Sequence, residues 1–252
     1  MIKAITFDLW DTIIHDDSDE PKRAAAGLRS KRDERRHLLW QALNEEEPLD
    51  VERVRMAYDV ADAAFNKVWR EHSITWTIAE RLRIILQGLG RTLPEASFAE
   101  VVRLHEEMEI TVAPDVIPGM ASALAKLAEH YPLAIASDAI VSPARCLRQW
   151  LDNNELLQYF SAFAFSDEVG RSKPHRRMFE KAADDLGVQL SEMVHIGDRE
   201  HNDVRGAHAH GLKAVLFTVT RAADREGTSA DAICDDPKQL PDIIASLAAA
   251  PD

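Results

Sequence analysis

Strand-like and helical segments alternate along the second half of the chain, and this alternation limits the possible folds more than any other feature. Short apolar runs predict strands, whereas amphipathic stretches predict helices. Strands are predicted at residues 133–136, 162–165, 193–196, 214–217 and 232–234, with helices at 120–130, 144–151, 178–186, 202–210 and 240–249. The pattern predicts an α/β fold of the Rossmann-like, doubly wound kind, in which helices cover both faces of a mainly parallel sheet.

The first twelve residues, MIKAITFDLWDT, predict one more strand of this sheet. An apolar run with β-branched members ends abruptly at Asp8, and Asp11 and Thr12 follow it. A buried strand of this kind delivers a carboxylate to its carboxyl end, where open α/β sheets bind their ligands. Taken alone, the same residues are also typical of a surface strand followed by an Asp-containing turn.

Between these two parts lies a stretch with helical periodicity and no convincing strand. Helices are predicted at residues 22–43, 51–71, 78–89 and 98–110. This indicates an all-helical, bundle-like insert of roughly ninety residues. It divides the chain into an α/β core domain (1–14 and 115–252) and a helical cap domain (15–114). We expect Trp69 to pack inside the bundle. The basic face of the first helix is expected to be solvated, although one of its arginines could reach a substrate anion.

Composition narrows the possible partners. The 252 residues carry a formal net charge of −13, which argues against nucleic acid or an anionic membrane as the main partner but not against a small anionic substrate.

No apolar run approaches membrane-spanning length, and the amino-terminus lacks the pattern of a signal peptide. Cys146 and Cys234 lie far apart in sequence, so reduced thiols are the simplest interpretation. We therefore expect a cytoplasmic protein.

Polar residues follow four of the predicted strands at their carboxyl ends. They lie at residues 8–12, at Ser137-Asp138, in the loop around Lys173 and at residues 197–203. The carboxyl ends of parallel strands point the same way, so we expect these segments to converge on one crevice. Together they would supply a carboxylate, a hydroxyl, an ammonium group and an acidic loop of the kind that binds metal.

Four stretches in this order resemble the motifs of the haloacid dehalogenase (HAD) superfamily with a helical cap inserted after the first strand: FDLWDT, IASDA, GRSKPHRRMF and HIGDREHNDVRGAHAHGLKAV. The resemblance covers the core, about two thirds of the chain, and the cap agrees in position and helical character only. It implies a hydrolase. The activity implied first is that of a Mg²⁺-dependent phosphatase, which hydrolyses a small phosphorylated metabolite through an aspartyl-phosphate intermediate.

The resemblance also implies roles for individual residues. Asp8 is the expected nucleophile, and Lys173 is expected to hold it and to neutralise the transferring group. Asp203 is expected to orient water or Lys173, although the helix dipole also favours an acid at a helix start. The substrate-binding residues implied are Thr12, Ser137, Asp138 and Lys173. The Mg²⁺ ligands implied are Asp8, the backbone carbonyl of Trp10 and Asp198.

Residue 10 departs from the family pattern. Phosphatases of this family usually carry an acid there, which protonates the leaving oxygen and later activates water, whereas this chain has Trp10. An indole cannot act as a general acid or base near neutrality. Asp11 is not expected to substitute, because successive residues leaving a strand point to opposite faces.

Trp10 therefore keeps two alternatives open. One is a 2-haloacid dehalogenase or phosphonate hydrolase, because such members of the family also lack this acid. The other is a catalytically weakened module that binds a phospho-ligand or a protein. The expected partner is a small phosphorylated or halogenated molecule, and the chain is expected to be a monomer or a homodimer. The histidines at positions 195, 201, 208 and 210 are not expected to form a metal site.

Overall fold

The computed structural model describes residues 1–249, and residues 250–252, the last of the predicted core domain, lie outside the described part. The elements in chain order are β1 (Ala4–Phe7), β2 (Ile14–His15), α1 (Asp19–Ala25), α2 (Lys31–Glu46), α3 (Val51–His72), α4 (Ile78–Leu89), α5 (Glu95–Glu106), α6 (Met108–Thr111), β3 (Asp115–Val116), α7 (Met120–Ala128), β4 (Leu133–Ser137), α8 (Ala144–Asn153), β5 (Phe160–Phe165), α9 (Ser166–Val169), α10 (Arg176–Leu186), β6 (Met193–Gly197), a π-helical turn (Glu200–Arg205), α11 (Gly206–His208), β7 (Lys213–Phe217), β8 (Ala232–Cys234) and α12 (Leu240–Ala249).

Six strands form one parallel sheet, which confirms the predicted α/β fold. Their order is β5-β4-β1-β6-β7-β8, so that β1 lies between β4 and β6 near the centre. Phe7 of β1 pairs with Ile135 on one side and with Ile196 on the other. The carboxyl ends of these three neighbouring strands therefore lie side by side at one edge of the sheet. The residues that follow them meet at that edge.

Helices bury both faces of the sheet. Side chains alternate between the two faces along each strand. One face packs against α7, α8 and α12, and the other packs against α10 and α11. The second face is built from small and apolar side chains such as Ala4, Ala134 and Ala214. Two polar residues, Thr6 and His195, interrupt it and are both fully buried.

Helices α1–α6 lie between β2 and β3 in the sequence, and we refer to them as the cap. Ile14 of β2 pairs antiparallel with Val116 of β3, so the chain leaves the core and returns to it side by side. Helices α2–α5 share an apolar cluster of their own, which includes Leu39, Leu43, Val54, Tyr58, Leu82, Ile85, Phe98 and Val101. The division into two domains at residues 14 and 115 stays a prediction.

The predicted first cap helix is in fact two helices. The prediction of one helix over residues 22–43 is wrong, because α1 ends at Ala25 and α2 begins only at Lys31. Gly27 adopts a φ of +70°, which is a left-handed conformation that glycine tolerates and that stops a helix. Ser30 then accepts a hydrogen bond from the backbone N–H of Asp33 and caps α2.

The helices and the two cysteines bear on membrane insertion and on disulfide formation. Within residues 1–249, no helix has both the length and the apolar character that crossing a bilayer would require. Cys146 and Cys234 are both buried, and neither forms a disulfide.

Candidate active site

Three loops at the carboxyl edge of the sheet bring an ammonium group between two carboxylates. Asp8 follows β1, and Lys173 lies in the loop before α10. Lys173 Nζ lies 2.7 Å from Asp8 Oδ1 and 2.5 Å from Asp203 Oδ1. Ser137, the last residue of β4, donates a hydrogen bond of 2.8 Å to the same Asp8 oxygen. The structure therefore gathers four of the predicted site residues.

Lys173 is fixed by its surroundings. Its backbone N–H donates to Asp138 Oδ1 at 2.8 Å, and its side chain is almost fully buried. Burial alone would lower the pKa of Lys173, but the neighbouring carboxylates of Asp203, Asp8 and Asp138 outweigh it and hold the pKa above its ordinary value. The group is therefore an ammonium ion at neutral pH.

Asp203 occupies space that a glycine leaves free. A Cβ atom added to Gly197 would lie 2.3 Å from Asp203 Cγ, so only glycine fits at the end of β6. The second oxygen of Asp203 accepts a hydrogen bond of 2.9 Å from the backbone N–H of Arg199. Burial would raise the pKa of Asp203, but the charge of Lys173 and the hydrogen bond from His195 lower it below its ordinary value. Asp203 is therefore an ionised partner of Lys173.

His195 belongs to the same network, although sequence reasoning set it aside. Its Nε2 lies 3.1 Å from Asp203 Oδ1, and its Nδ1 lies 2.9 Å from the hydroxyl oxygen of Thr6. Burial lowers the pKa of His195, so the ring is neutral near pH 7. Since the ionised Asp203 only accepts hydrogen bonds, Nε2 carries the proton and Nδ1 accepts from Thr6. The sequence contains one signal for this placement. Residues two apart in a strand point to the same face, so His195 lies on the same face of β6 as Gly197.

Asp198 is the acid of the site with the weakest pairing, because its Oδ2 lies 3.7 Å from Arg199 Nε and 3.8 Å from Arg221 Nη1. Asp8, Asp198 and Asp203 each offer an oxygen, and the three atoms lie within 4.8 Å of one another. Asp198 Oδ2 is buried and has no hydrogen-bond partner among the described residues. Burial, together with the charges of Asp203 and Asp8, raises the pKa of Asp198 to about 8.

This donor set fits a small hard cation, which prefers a few carboxylate oxygens. A cation would both pair the buried oxygen of Asp198 and favour its ionised form. Because both oxygens of Asp203 already accept hydrogen bonds, Asp8 and Asp198 are the better candidates for ligands.

A family model described as "haloacid dehalogenase-like hydrolase" matches residues 2–211. The chain belongs to this family. The resemblance seen in the sequence motifs is thereby confirmed, and the protein is a HAD-like hydrolase.

Individual relatives of this HAD-like hydrolase carry different activities. The glyceraldehyde 3-phosphate phosphatase of Methanopyrus kandleri is 31% identical over 62% of this chain and 66% of its own length. A HAD phosphatase structure from Thermococcus onnurineus has a TM-score of 0.64 at 22% identity, covering 96% of this chain and 98% of its own. A 2-haloacid dehalogenase structure from Pseudomonas syringae pv. Tomato DC3000 has a TM-score of 0.67 at 22% identity, covering 98% of this chain and 100% of its own.

The sequence matches cover only part of the length of these phosphatases. The chain spans between 42% and 66% of the length of the glyceraldehyde 3-phosphate phosphatases from M. kandleri, Pyrococcus furiosus and Pyrococcus abyssi. The fold is shared by a phosphatase and a dehalogenase alike, so the fold alone does not choose between these activities.

The residues at positions 10, 11 and 12, which follow Asp8, differ in their placement in this HAD-like hydrolase. Trp10 is half-buried and lines a cavity of about 240 Å³ together with Asp8. Asp11 does not line this cavity, because its backbone turns away with a φ of +55° and its carbonyl accepts a hydrogen bond from Thr220. Thr12 is fully buried, its hydroxyl has no partner among the described residues, and it does not line the cavity either.

Asp138 links the core to the cap. It lines the cavity, and its Oδ2 accepts a hydrogen bond of 3.1 Å from Trp69 Nε1 of α3. Trp69 is therefore not buried inside the helical bundle as expected but is half-buried over the cavity. Burial raises the pKa of Asp138 to about 6, although the charge of Lys173 opposes the shift.

The cations that the cap contributes to the cavity are already paired. Lys31 Nζ lies 2.8 Å from Asp19 and 3.1 Å from Asp17, and Arg35 lies 3.1 Å from Glu109. Arg35 is thus the arginine of the early cap helices that reaches the cavity, as the sequence suggested for one of them. Its ion pair with Glu109 reduces its attraction for a further anion.

Proposed function

We propose that this HAD-like hydrolase is a Mg²⁺-dependent phosphatase that acts on a small phosphorylated metabolite. The observation that carries the proposal is the buried oxygen of Asp198 beside Asp8, which accepts no hydrogen bond from the described residues and so leaves an acceptor for a metal ion. The phosphatases among its relatives support the same activity.

Asp8 would act as the nucleophile in this reaction. One of its carboxylate oxygens forms a bond to phosphorus while the bond from phosphorus to the ester oxygen breaks, and the electron pair stays on the leaving oxygen. Ser137 and Lys173 hold the carboxylate in place through Asp8 Oδ1. Lys173 also offsets negative charge as it develops on the phosphoryl group.

Water would then attack the phosphorus of the aspartyl phosphate, which releases phosphate and restores Asp8. Asp203 holds Lys173 in position during both steps. Asp8, Asp198 and the backbone carbonyl of Trp10 would hold Mg²⁺, and when bound it would neutralise charge on the phosphoryl oxygens.

Trp10 decides which esters suit the enzyme. Since residue 10 bears no carboxyl group, the leaving oxygen must take its proton from solvent. Aryl and acyl phosphates, whose leaving groups need less protonation, should react faster than alkyl phosphates. The small-molecule substrate would enter the cavity beneath Trp69, and Asp138 is the proposed substrate contact on the core side.

A screen of esters tests the proposal. Aryl, acyl and alkyl phosphates and a 2-haloacid are assayed with Mg²⁺ and with a chelator, using wild-type protein and Asp8→Asn. Turnover of the aryl phosphate should require Mg²⁺, and Asp8→Asn should lower it on the order of 10⁴-fold or more. Matching melting temperatures would show that the variant is folded.

The second candidate, favoured by Trp10, is hydrolysis of a 2-haloacid or a phosphonate. Release of halide without added metal in the same screen would support it and contradict a phosphatase. If no compound turned over above the Asp8→Asn level, the third candidate, a module that binds a phospho-ligand or a protein, would be favoured.

A further inference from the structure

Two spaces adjoin Lys173, and their walls carry opposite charge. The cavity over Asp8, of about 240 Å³, is lined by six acidic and four basic side chains. A groove of about 540 Å³, which Trp69 also lines, is lined by five basic and three acidic side chains. The chain as a whole has a net charge of −13, so a basic groove beside the catalytic residues is a local departure from the surface average.

The cavity is a poor place for an additional anion. Its cap-side wall presents Asp16, Asp17 and Glu109, and these acids already engage Lys31 and Arg35. A negatively charged extension of the substrate would meet net negative charge there.

The groove offers guanidinium groups with little or no pairing. Within residues 1–249, the exposed side chain of Arg70 on α3 forms no hydrogen bond or ion pair, and that of Arg199 has only a 3.7 Å contact with Asp198. By contrast, Arg205 and Arg221 are paired with Glu200 and Asp224 at 3.2 and 2.7 Å. Arg70 and Arg199 are therefore the cations that remain for a ligand.

The groove is continuous with the catalytic residues. Trp69, Lys173, Arg199 and Asn202 line both spaces, so a molecule whose phosphoryl group lies at Lys173 can extend into the groove around Trp69. Guanidinium groups bind phosphate in a bidentate manner, which adds geometric selectivity to the charge.

We propose that this groove binds a second phosphoryl group of the substrate between Arg70 of the cap and Arg199 of the core. The proposal rests on the phosphatase function and narrows its substrate class to small bisphosphorylated molecules. Since Arg70 and Arg199 come from the cap and the core, the second phosphate would also hold the two together over the reacting ester.

The test compares matched pairs of esters. A series of α,ω-alkanediol bisphosphates with two to six carbons is assayed against the corresponding ω-hydroxyalkyl phosphates, with Mg²⁺ at low ionic strength. For the best chain length, the KM of the bisphosphate should be about tenfold lower or more, as expected for one charge-assisted contact. The ratio of the two KM values should fall at least threefold in Arg70→Gln. It should shrink further as salt is added.

Arg53→Gln is the matched control, because Arg53 is an exposed arginine of the same helix that lines neither space. It should keep the wild-type ratio. If wild type hydrolyses both kinds of ester with equal KM at every chain length, the groove proposal is overturned while the phosphatase proposal stands.

A binding measurement decides the question without turnover. Asp8→Asn protein is titrated with the same ester pairs in the calorimeter, alone and combined with Arg70→Gln. Tighter binding of the bisphosphate that depends on Arg70 supports the groove proposal even if no ester is hydrolysed. Equal binding of the two esters overturns it.

Discussion

The core side and the cap side of the cavity are built in different ways. On the core side, Asp8 and Asp203 lie beyond the ends of β1 and β6, Lys173 lies in the loop between α9 and α10, and each is held by hydrogen bonds of 3.1 Å or less. On the cap side, Lys31 and Trp69 project from helices, and Trp69 donates a hydrogen bond to Asp138, which also accepts one from the backbone N–H of Lys173. The core side thus holds its charged groups in a dense hydrogen-bonded network, to which we assign the chemistry, whereas we assign selection of the substrate to the cap side.

The pairing of charged side chains also differs between the core side and the cap side of the cavity. On the core side, Lys173 forms short ion pairs with Asp8 and Asp203, whereas Asp198 has only the 3.7 and 3.8 Å contacts with Arg199 and Arg221. The cap-side acids outnumber the cations that they engage. A substitution on the core side should therefore change the rate and the stability together, whereas one on the cap side should act mainly on binding.

Apart from loss of Asp8 itself, the largest effect is expected for Lys173→Met. Without the ammonium group, the carboxylates of Asp8 and Asp203 face each other unpaired. We expect a loss of stability of about 3–5 kcal/mol and a fall in kcat of about 10³-fold. Urea unfolding and steady-state kinetics measure the two, with Lys181→Met as the control because Lys181 is exposed on α10. Stability equal to that of wild type would show that the core side is not held by this ion pair.

Trp10→Asp should act in the opposite direction. A carboxyl group at residue 10 would restore the general acid that the family usually has, so hydrolysis of alkyl phosphates should rise about 10²-fold. Aryl phosphates should gain much less. Trp10→Phe, which removes the indole without adding an acid, should show no gain. A folded Trp10→Asp protein with an unchanged rate would contradict the account of the missing acid.

Substitutions of His195 test whether a residue that contacts Asp203, and not the substrate, affects the rate. His195→Leu should lower kcat about tenfold and change KM little, because Asp203 loses one hydrogen bond that helps to fix Lys173. His195→Gln retains a donor and should recover part of the loss. Nitrogen-15 chemical shifts of the ring should identify the Nε2-protonated neutral form. An imidazolium signal at pH 7 would contradict the hydrogen-bond pattern described above.

The smallest effect is expected at Trp69, and it depends on pH. The folded-state pKa of Asp138, about 6, exceeds the ordinary value of 3.8, so ionisation of Asp138 reduces stability as the pH rises between these values. Trp69 donates to the ionised form and lessens that loss. Trp69→Phe should therefore destabilise the protein by about 1 kcal/mol above pH 7 and by much less below pH 4.

Unfolding curves of wild type and Trp69→Phe at several pH values test this. Asp138→Asn serves as the control background, because the pH dependence of the Trp69 effect should vanish there. A constant difference between the two proteins at all pH values would mean that Trp69 acts by packing and not through Asp138.

Much of the site could be predicted, but not all of it. Asp8, Lys173 and Asp203 could be predicted because each lies in a connection that leaves the carboxyl end of a strand, and parallel strands bring these ends together at one edge of the sheet. Thr12 was placed in the crevice by the same rule, yet the left-handed turn at Asp11 directs the chain inward and buries Thr12. His195 was passed over because its partner Thr6 lies 189 residues away and meets it only through the pairing of β1 with β6.

Local spacing in the sequence determines the order of strands and helices. It also determines which acids and which lysine lie near the strand ends, so the amino-acid sequence is sufficient to derive both. The position of Trp69 over Asp138 and the basic groove beside Lys173 depend on how the cap helices are seated against the core. That seating is set by many weak contacts between residues far apart in sequence. The packing of the cap against the core cannot be derived from sequence periodicity, and it is seen only in the tertiary structure.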